Sequence, residues 1–292
     1  MPVAQWTSPG APALAGRTMV VTGASSGLGR ETAAALARGG ARVVLAVRDT
    51  AKGARAAAQM DGETEVRPLD LADLASVRRF AEAWTEPLDV LVNNAGVMAV
   101  PRGRTADGFE TQIGVNHLGH FALTLLLLPH IRDRVVTVTS ELSRRGRIDL
   151  EDLNAERHRY RPWRAYRQSK LANQLFTFEL QRRLVLRGSA VRALSAHPGV
   201  AATPLRHTGG RLRDLALLPL FLLAQDAARG ALPTLFAATE ELAGGSLVGP
   251  DDRMGTRYSP RATRLRPAAA DPDVARRLWE LSAELTGVGP EI

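Results

Sequence analysis

Short, nearly continuous apolar runs alternate along this chain with longer stretches whose apolar residues recur every three or four positions. The runs have the length of buried strands, and the stretches have the period of amphipathic helices. Strands are predicted at Arg17–Thr22, Arg42–Val47, Glu65–Leu69, Asp89–Asn93, Arg134–Thr139 and Ala190–Ser195. Helices are predicted at Arg30–Arg38, stopped by Gly39-Gly40, and at Asp49–Met60, Leu74–Trp84, Gly108–Leu128 and Ala165–Leu186. A last amphipathic helix is predicted over 273–285. Apolar strands separated by helices belong to a parallel sheet covered on both faces. Right-handed crossovers wind such units into a doubly wound α/β sandwich of three layers.

The rest of the chain is arranged around that unit. Residues 1–13 read as a flexible lead-in, and no interior linker or repeat divides 14–292, so a single domain is expected. The Leu-rich stretch 204–225 reads as a lid over a substrate. The segment 250–270, rich in Pro, Arg and Ala, reads as irregular.

Composition narrows the chemistry. The chain has no cysteine, which excludes a disulfide scaffold, a thiolate nucleophile and a Cys-ligated metal or cluster. Its histidines and carboxylates show no convincing ligand triad, so no metal is expected. The net charge of +8 is carried by arginine, Lys52 and Lys170 being the only lysines. Such charge suits phosphorylated cofactors and nucleic acid alike. Aromatics at 5% argue against a stacking platform for bases, so no nucleic-acid partner is expected. No secretory signal opens the chain, and no apolar run approaches the roughly 20 residues of a membrane span. A soluble, cytoplasmic protein is the expectation.

Chemistry concentrates in a few places. Gly23, Gly27 and Gly29 sit between the first strand and the first helix, with Ser25, Ser26 and Leu28 completing the turn. A turn without Cβ atoms lets backbone amides approach a pyrophosphate, and the helix N-terminus favours its charge. In a βαβ setting this is a Rossmann-type dinucleotide turn; a ligand-free glycine turn is the competing reading. The Gly-Lys-Ser/Thr ending of a P-loop is absent. Tyr166 and Lys170, four apart on a predicted helix, share one face. A nearby ammonium, with a positive nicotinamide, would favour phenolate and lower the tyrosine pKa from about 10. Ser140 ends a strand, where its hydroxyl can donate to an oxygen that gains charge. Strand alternation turns its neighbour Thr139 to the other side. Asn116 is a poor mid-helix residue, which suggests a specific role. His117 and His120 read as ordinary helix or pocket residues.

TGASSGLG at 22–29, NNAG at 93–96, Asn116, Ser140 and Tyr166-x-x-x-Lys170 together resemble the short-chain dehydrogenase/reductase family over roughly residues 14–249. AVRD (46–49), VNHLGHF (115–121) and HPG (197–199) resemble its branch of retinol dehydrogenases and WW-domain oxidoreductases. The resemblance implies four catalytic residues. Tyr166 exchanges the proton, Ser140 stabilises the substrate oxygen, Lys170 holds the nicotinamide ribose, and Asn116 holds a water that completes a relay. It also implies that Asp70 and Leu71 lie near adenine, and that Asn93, Ala95 and Gly96 line the cleft. Pro198, Gly199, Val200 and Thr203 are implied near nicotinamide. For Asp70, a helix cap is the alternative.

Arg48, after the second strand, would pair with a ribose 2′-phosphate, so NADP(H) is preferred. The adjacent Asp49 keeps NAD(H) open. The expected function is an NADP(H)-dependent oxidoreductase that interconverts a carbonyl and an alcohol on an apolar or amphipathic small molecule. The alternative is a non-catalytic NADP(H)-binding regulatory or scaffold protein. The resemblance also implies a homodimer or homotetramer, joined through 108–128 and 165–186. The interval 141–165 is open between a substrate entrance and a solvated loop.

Overall fold

The computed structural model describes residues 14–199, 227–250, 260–263 and 271–289. The predicted lead-in and lid lie outside the described residues. Eight strands form one sheet in the order β3-β2-β1-β4-β5-β6-β7-β8. They are β1 (Thr18–Thr22), β2 (Arg42–Val47), β3 (Thr64–Pro68), β4 (Leu88–Asn93), β5 (Ile131–Val138), β6 (Arg192–Ala196), β7 (Leu247–Pro250) and β8 (Pro260–Thr263). All neighbours are parallel except the antiparallel pair β7–β8. The last strand corrects the expectation of an irregular 250–270 at Pro260–Thr263; residues 251–259 and 264–270 lie outside the described residues. A polar PRAT run has no strand pattern of its own, and pairing with β7 imposes the extended form.

Each central strand feeds two cores. Val20, Val44, Leu91 and Val135 face one, while Val21, Val43, Leu45, Val92 and Val136 face the other. This is the period-2 alternation of a sheet buried on both sides. The first core is closed by α3 (Leu74–Glu82), α5 (Gly119–Leu127), α6 (Pro162–Leu186) and α8 (Pro272–Thr286). The second is closed by α1 (Gly27–Arg38) and α7 (Ala227–Thr239), which pack side by side. The short α2 (Thr50–Ala57) covers β2 and β3.

The helix predicted within 108–128 runs from Thr111 to Leu127 and carries a π turn. A three-residue α4 (Thr111–Ile113), capped by Glu110, runs into a π turn (Gly114–Leu118) and then into α5. The start shifts because Phe109 is held in a turn, its carbonyl bonded by the Thr105 amide at 2.8 Å. The π turn is bounded by two glycines, and the Gly119 amide reaches back to the Gly114 carbonyl. A Cβ on Gly119 would lie 2.6 Å from the Leu71 carbonyl, so the helix crosses the β3–α3 connection at a distance only glycine permits. The π turn puts Asn116 at the cleft, a common position for such insertions.

Strand order reverses between β1 and β4, and the C-terminal ends of β1, β4 and β5 open onto the crevice there. Opposite that crevice, near the start of β5, Asp133 bridges Arg17, Arg134 and Arg192. Arg134 is 1% exposed and donates to the carbonyls of Ala237 and Glu240, at the end of α7. Among the described residues, no helix is long and apolar enough to cross a membrane.

Candidate active site

The turn after β1 is shaped for close backbone approach. Gly23 and Gly27 have φ of 68° and 56°. A Cβ on Gly23 would lie 2.9 Å from the Ala95 Cβ, and one on Gly29 would lie 2.4 Å from the Asn94 side-chain amide. Ser25, Ser26 and Leu28 are half-buried around them. Ser26 is the N-cap of α1 but makes no side-chain capping bond, and the first helical turn carries no acid. The exposed amides and helix dipole therefore suit a pyrophosphate. This cradle fits a dinucleotide.

Beyond β2, Arg48 and Asp49 are exposed. Asp49 caps α2, accepting from the Lys52 amide at 2.8 Å. Among the described residues, Arg48 makes no hydrogen bond or ion pair. After β3, Asp70 accepts from the Ala72 amide at 2.9 Å, while Asp73 caps α3. This resolves the alternative left open for Asp70: it shapes the connection and is not the helix cap. Leu71 is buried beside it.

After β4 the chain runs along the cleft floor. Asn93 is buried and donates to Thr124 at 2.8 Å, which makes it a strut between β4 and α5. The Thr22 hydroxyl accepts from the amides of Asn94 and Ala95, both at 2.9 Å. Gly96 faces Asn116 and Lys170, since its Cβ would lie 3.1 Å from Asn116 Oδ1 and 3.4 Å from Lys170 Nζ.

Asn116 is clamped at both ends of its amide. Oδ1 accepts from the Val97 amide at 2.8 Å, and Nδ2 donates to the Val97 carbonyl and to Ser169, both at 2.9 Å. Lys170 Nζ donates to the Val138 carbonyl at 3.0 Å, its single acceptor among the described residues. Two of its three donors stay available for a ribose. Burial pulls the Lys170 ammonium down to about 8. Thr139 is buried and donates to the Lys170 carbonyl at 2.7 Å, whereas Ser140 caps the turn that follows, accepting from the Leu142 amide at 3.2 Å, and its hydroxyl acts to lower the Tyr166 pKa.

The expected lowering of the Tyr166 pKa is not what these side chains produce. Burial raises the phenol above its usual value, and the Ser140 bond offsets only part of that. Trp163, one turn back on α6, packs edge-on against the Tyr166 ring at 6.2 Å. His197 follows β6 and is packed so closely on Gly249 that a Cβ there would lie 2.1 Å from Nε2. Burial, with the charge of Arg144, holds its imidazole at about 4. Pro198 and Gly199 follow, half-buried, with Gly199 at φ 69°. Val200 and Thr203 lie outside the described residues.

Sequence reasoning missed two groups. Glu110, Gln112 and Tyr160 form a buried network between the interval 141–165 and the cleft wall. Gln112 donates to Tyr160 at 2.8 Å and to the Pro162 carbonyl at 2.9 Å, and accepts from the Ala99 amide at 2.7 Å. His120 is fully buried between Thr22 and Asn116. The available signal was polar side chains, Glu110, Gln112 and His120, interspersed with the apolar positions of 108–128. The interval also gathers Asp149, Asp152 and His158, whose ligand-type atoms lie within 4.8 Å of one another. Asp152 there accepts from the amides of Glu156 and Arg157 and bonds His158, so it ties a turn together.

The family model described as short chain dehydrogenase matches residues 17–211. Human retinol dehydrogenase 13 is 44% identical over 292 residues, covering 94% of this chain and 85% of that protein. Mouse polyprenol dehydrogenase is 44% identical over 294 residues, with the same coverage of 94% and 85%. A crystal structure of an uncharacterized Mycobacterium paratuberculosis protein is 52% identical, with a TM-score of 0.83 over 97% of this chain and 98% of that one. A Burkholderia cenocepacia short chain dehydrogenase in complex with NADP is 25% identical, with a TM-score of 0.60 over 78% of this chain and 93% of that one.

Proposed function

Because the chain belongs to the short-chain dehydrogenase family, in its retinol dehydrogenase branch, we propose that it interconverts a carbonyl and an alcohol with NADP(H) as the hydride carrier. One observation carries this reading. Tyr166, Ser140 and Lys170 converge at the end of β5, beside a glycine cradle that fits a dinucleotide. Bound nicotinamide supplies or accepts the hydride.

The chain's own residues handle the proton and the position. Tyr166, kept protonated by burial, is set to donate to a carbonyl oxygen. Ser140 donates to the same oxygen as charge develops on it. Lys170 holds the ribose with its spare donors, and Asn116 fixes the wall facing it through Val97. Arg48 favours the 2′-phosphate of NADP(H), and Asp49 is engaged as a helix cap rather than aimed at a ribose hydroxyl. The substrate is an apolar or amphipathic small molecule. Retinol and polyprenol, named for the relatives, are both apolar isoprenoid alcohols, and their aldehydes belong in the first panel.

The test follows NADPH absorbance across aldehydes and ketones, with NADH in parallel and Tyr166→Phe as control. Turnover by the native protein, lost by at least about 100-fold in Tyr166→Phe with NADPH binding kept, is expected. NADPH binding without turnover on any member of a broad panel would favour the non-catalytic reading.

A further inference from the structure

We propose that His120 is a positioning residue of this site, tying the floor of the dinucleotide cleft to the turn that carries Asn116. The proposal rests on the oxidoreductase reading above. His120 Nδ1 lies 3.1 Å from the Asn116 carbonyl, and Nε2 lies 2.9 Å from the Thr22 hydroxyl. A carbonyl only accepts, so Nδ1 carries the ring proton and Nε2 is left as an acceptor. The Thr22 hydroxyl must then donate to Nε2, in preference to the Val92 carbonyl at 3.4 Å. With its proton committed, Thr22 accepts from the amides of Asn94 and Ala95, both at 2.9 Å.

Every hydrogen in this chain of bonds therefore runs one way: Asn94 and Ala95 to Thr22, Thr22 to His120, His120 to Asn116. Such a one-way network needs a neutral ring in one tautomer. Burial, assisted by the charge of Lys170, provides it by holding the imidazole at about 4. Both ends of the link are parts of the site. Ala95 adjoins Gly23, and Asn116 grips Val97. The ring is 1% exposed and sits in a helix beside the buried apolar residues Phe121, Ala122 and Leu123. A fully bonded buried polar group fixes geometry in a way apolar packing does not.

The full chain is tested with two readouts. NADPH binding is followed by the fluorescence of the reduced cofactor, without turnover. Then kcat and KM are measured on the best carbonyl from the panel. His120→Phe, which loses both bonds, is expected to lower NADPH affinity and kcat by about tenfold each while still melting cooperatively. Thr22→Val, which also strips the acceptor from the Asn94 and Ala95 amides, should lose at least as much, and the double variant should be no worse than Thr22→Val, because both cut one link. Thr22→Ser should behave as the native protein.

Two conservative variants separate the ends of the link. The amide of His120→Asn stands where Nδ1 was and should recover kcat more than affinity. That of His120→Gln reaches the position of Nε2 and should recover affinity more than kcat. Unchanged binding and kcat in His120→Phe, additive losses in the double variant, or identical behaviour of the Asn and Gln variants would overturn the proposal. If His120→Phe does not fold, Thr22→Val and the Asn and Gln pair decide. If the native protein binds NADPH but turns nothing over, the oxidoreductase reading fails, and the affinity losses alone judge His120.

Discussion

The hydroxyl of Tyr160 donates to Oε1 of Glu110 across 2.9 Å, joining residues separated by the whole of β5 and the interval that follows it. Glu110 is 3% exposed and also accepts from the amides of Gln112 and Ile113. Its own amide donates to Asn154 at 3.0 Å, a second tie to the interval. The interval 141–165 is thereby held against the cleft wall through Tyr160, Asn154 and, by way of Gln112, Pro162. Tyr160→Phe removes the hydroxyl and leaves a Gln112 donor without its partner. Destabilisation of about 1–3 kcal/mol is expected, read as a lower midpoint in thermal melting. A midpoint within one degree of the native protein would refute the network's contribution.

Gly96 lies where a methyl group would press on the site. Gly96→Ala puts a Cβ 3.1 Å from Asn116 Oδ1 and 3.4 Å from Lys170 Nζ. The fold should tolerate this at about 1–3 kcal/mol. Turnover should fall more than about tenfold, because displacement of these groups by a fraction of an ångström disturbs the reacting geometry. Equal losses in stability and turnover would argue against that placement.

Arg48 is exposed and unpaired among the described residues, so replacing it should leave stability untouched. Arg48→Glu is expected to cut the ratio of kcat/KM for NADPH over NADH by about tenfold or more, mainly through KM for NADPH. A constant ratio would remove Arg48 from cofactor selection.

The direction of the Tyr166 shift sets the pH behaviour. A raised pKa keeps the phenol protonated at neutral pH, the form that donates during carbonyl reduction. Alcohol oxidation needs the deprotonated form, so its rate should climb about tenfold per pH unit below that pKa while reduction holds steady and then declines. Parallel pH–rate profiles for both directions check this; an oxidation rate independent of pH would contradict it.

Asp133 and Arg134 bear on stability alone. Arg134→Ala strips a buried partner from Asp133 and leaves the end of α7 uncapped, at an expected cost of about 3–5 kcal/mol in urea unfolding. Burial pushes the Asp133 carboxyl up, but the bond to Arg192 and the charge of Arg134 outweigh it, leaving its pKa lowered. A lowered carboxyl pKa contributes stability above the ordinary carboxylate range and loses it as pH falls through the folded value. Asp133→Asn should therefore flatten the acid limb of stability against pH.

Much of the parallel sheet was legible because strands buried on both faces leave unbroken apolar runs, as in RVVLAV and DVLVN. The site motifs were legible because a close-approach turn and a helical pair leave local spacing. The rest is tertiary. β8 extends only because β7 lies beside it. The π turn that carries Asn116 ends at Gly119, which crosses close to Leu71, a residue far away in sequence. The spacing to Lys170, with a positive nicotinamide, points to a low Tyr166 pKa, whereas burial, which spacing does not encode, sets the direction among the protein's own side chains. His120 reads as an ordinary helix or pocket residue in the sequence, because its two partners are evident only once Thr22 is placed against it.

Pro68 ends β3 and Pro260 begins β8, the marginal strands of the described sheet. The Leu69 amide bonds back to β2, and Arg261 pairs with Gly249, so each proline nitrogen points outward. A strand arriving from another molecule would meet, at either margin, a position with no hydrogen to share. Each margin of the described sheet thus holds a position that works against the recruitment of a further strand.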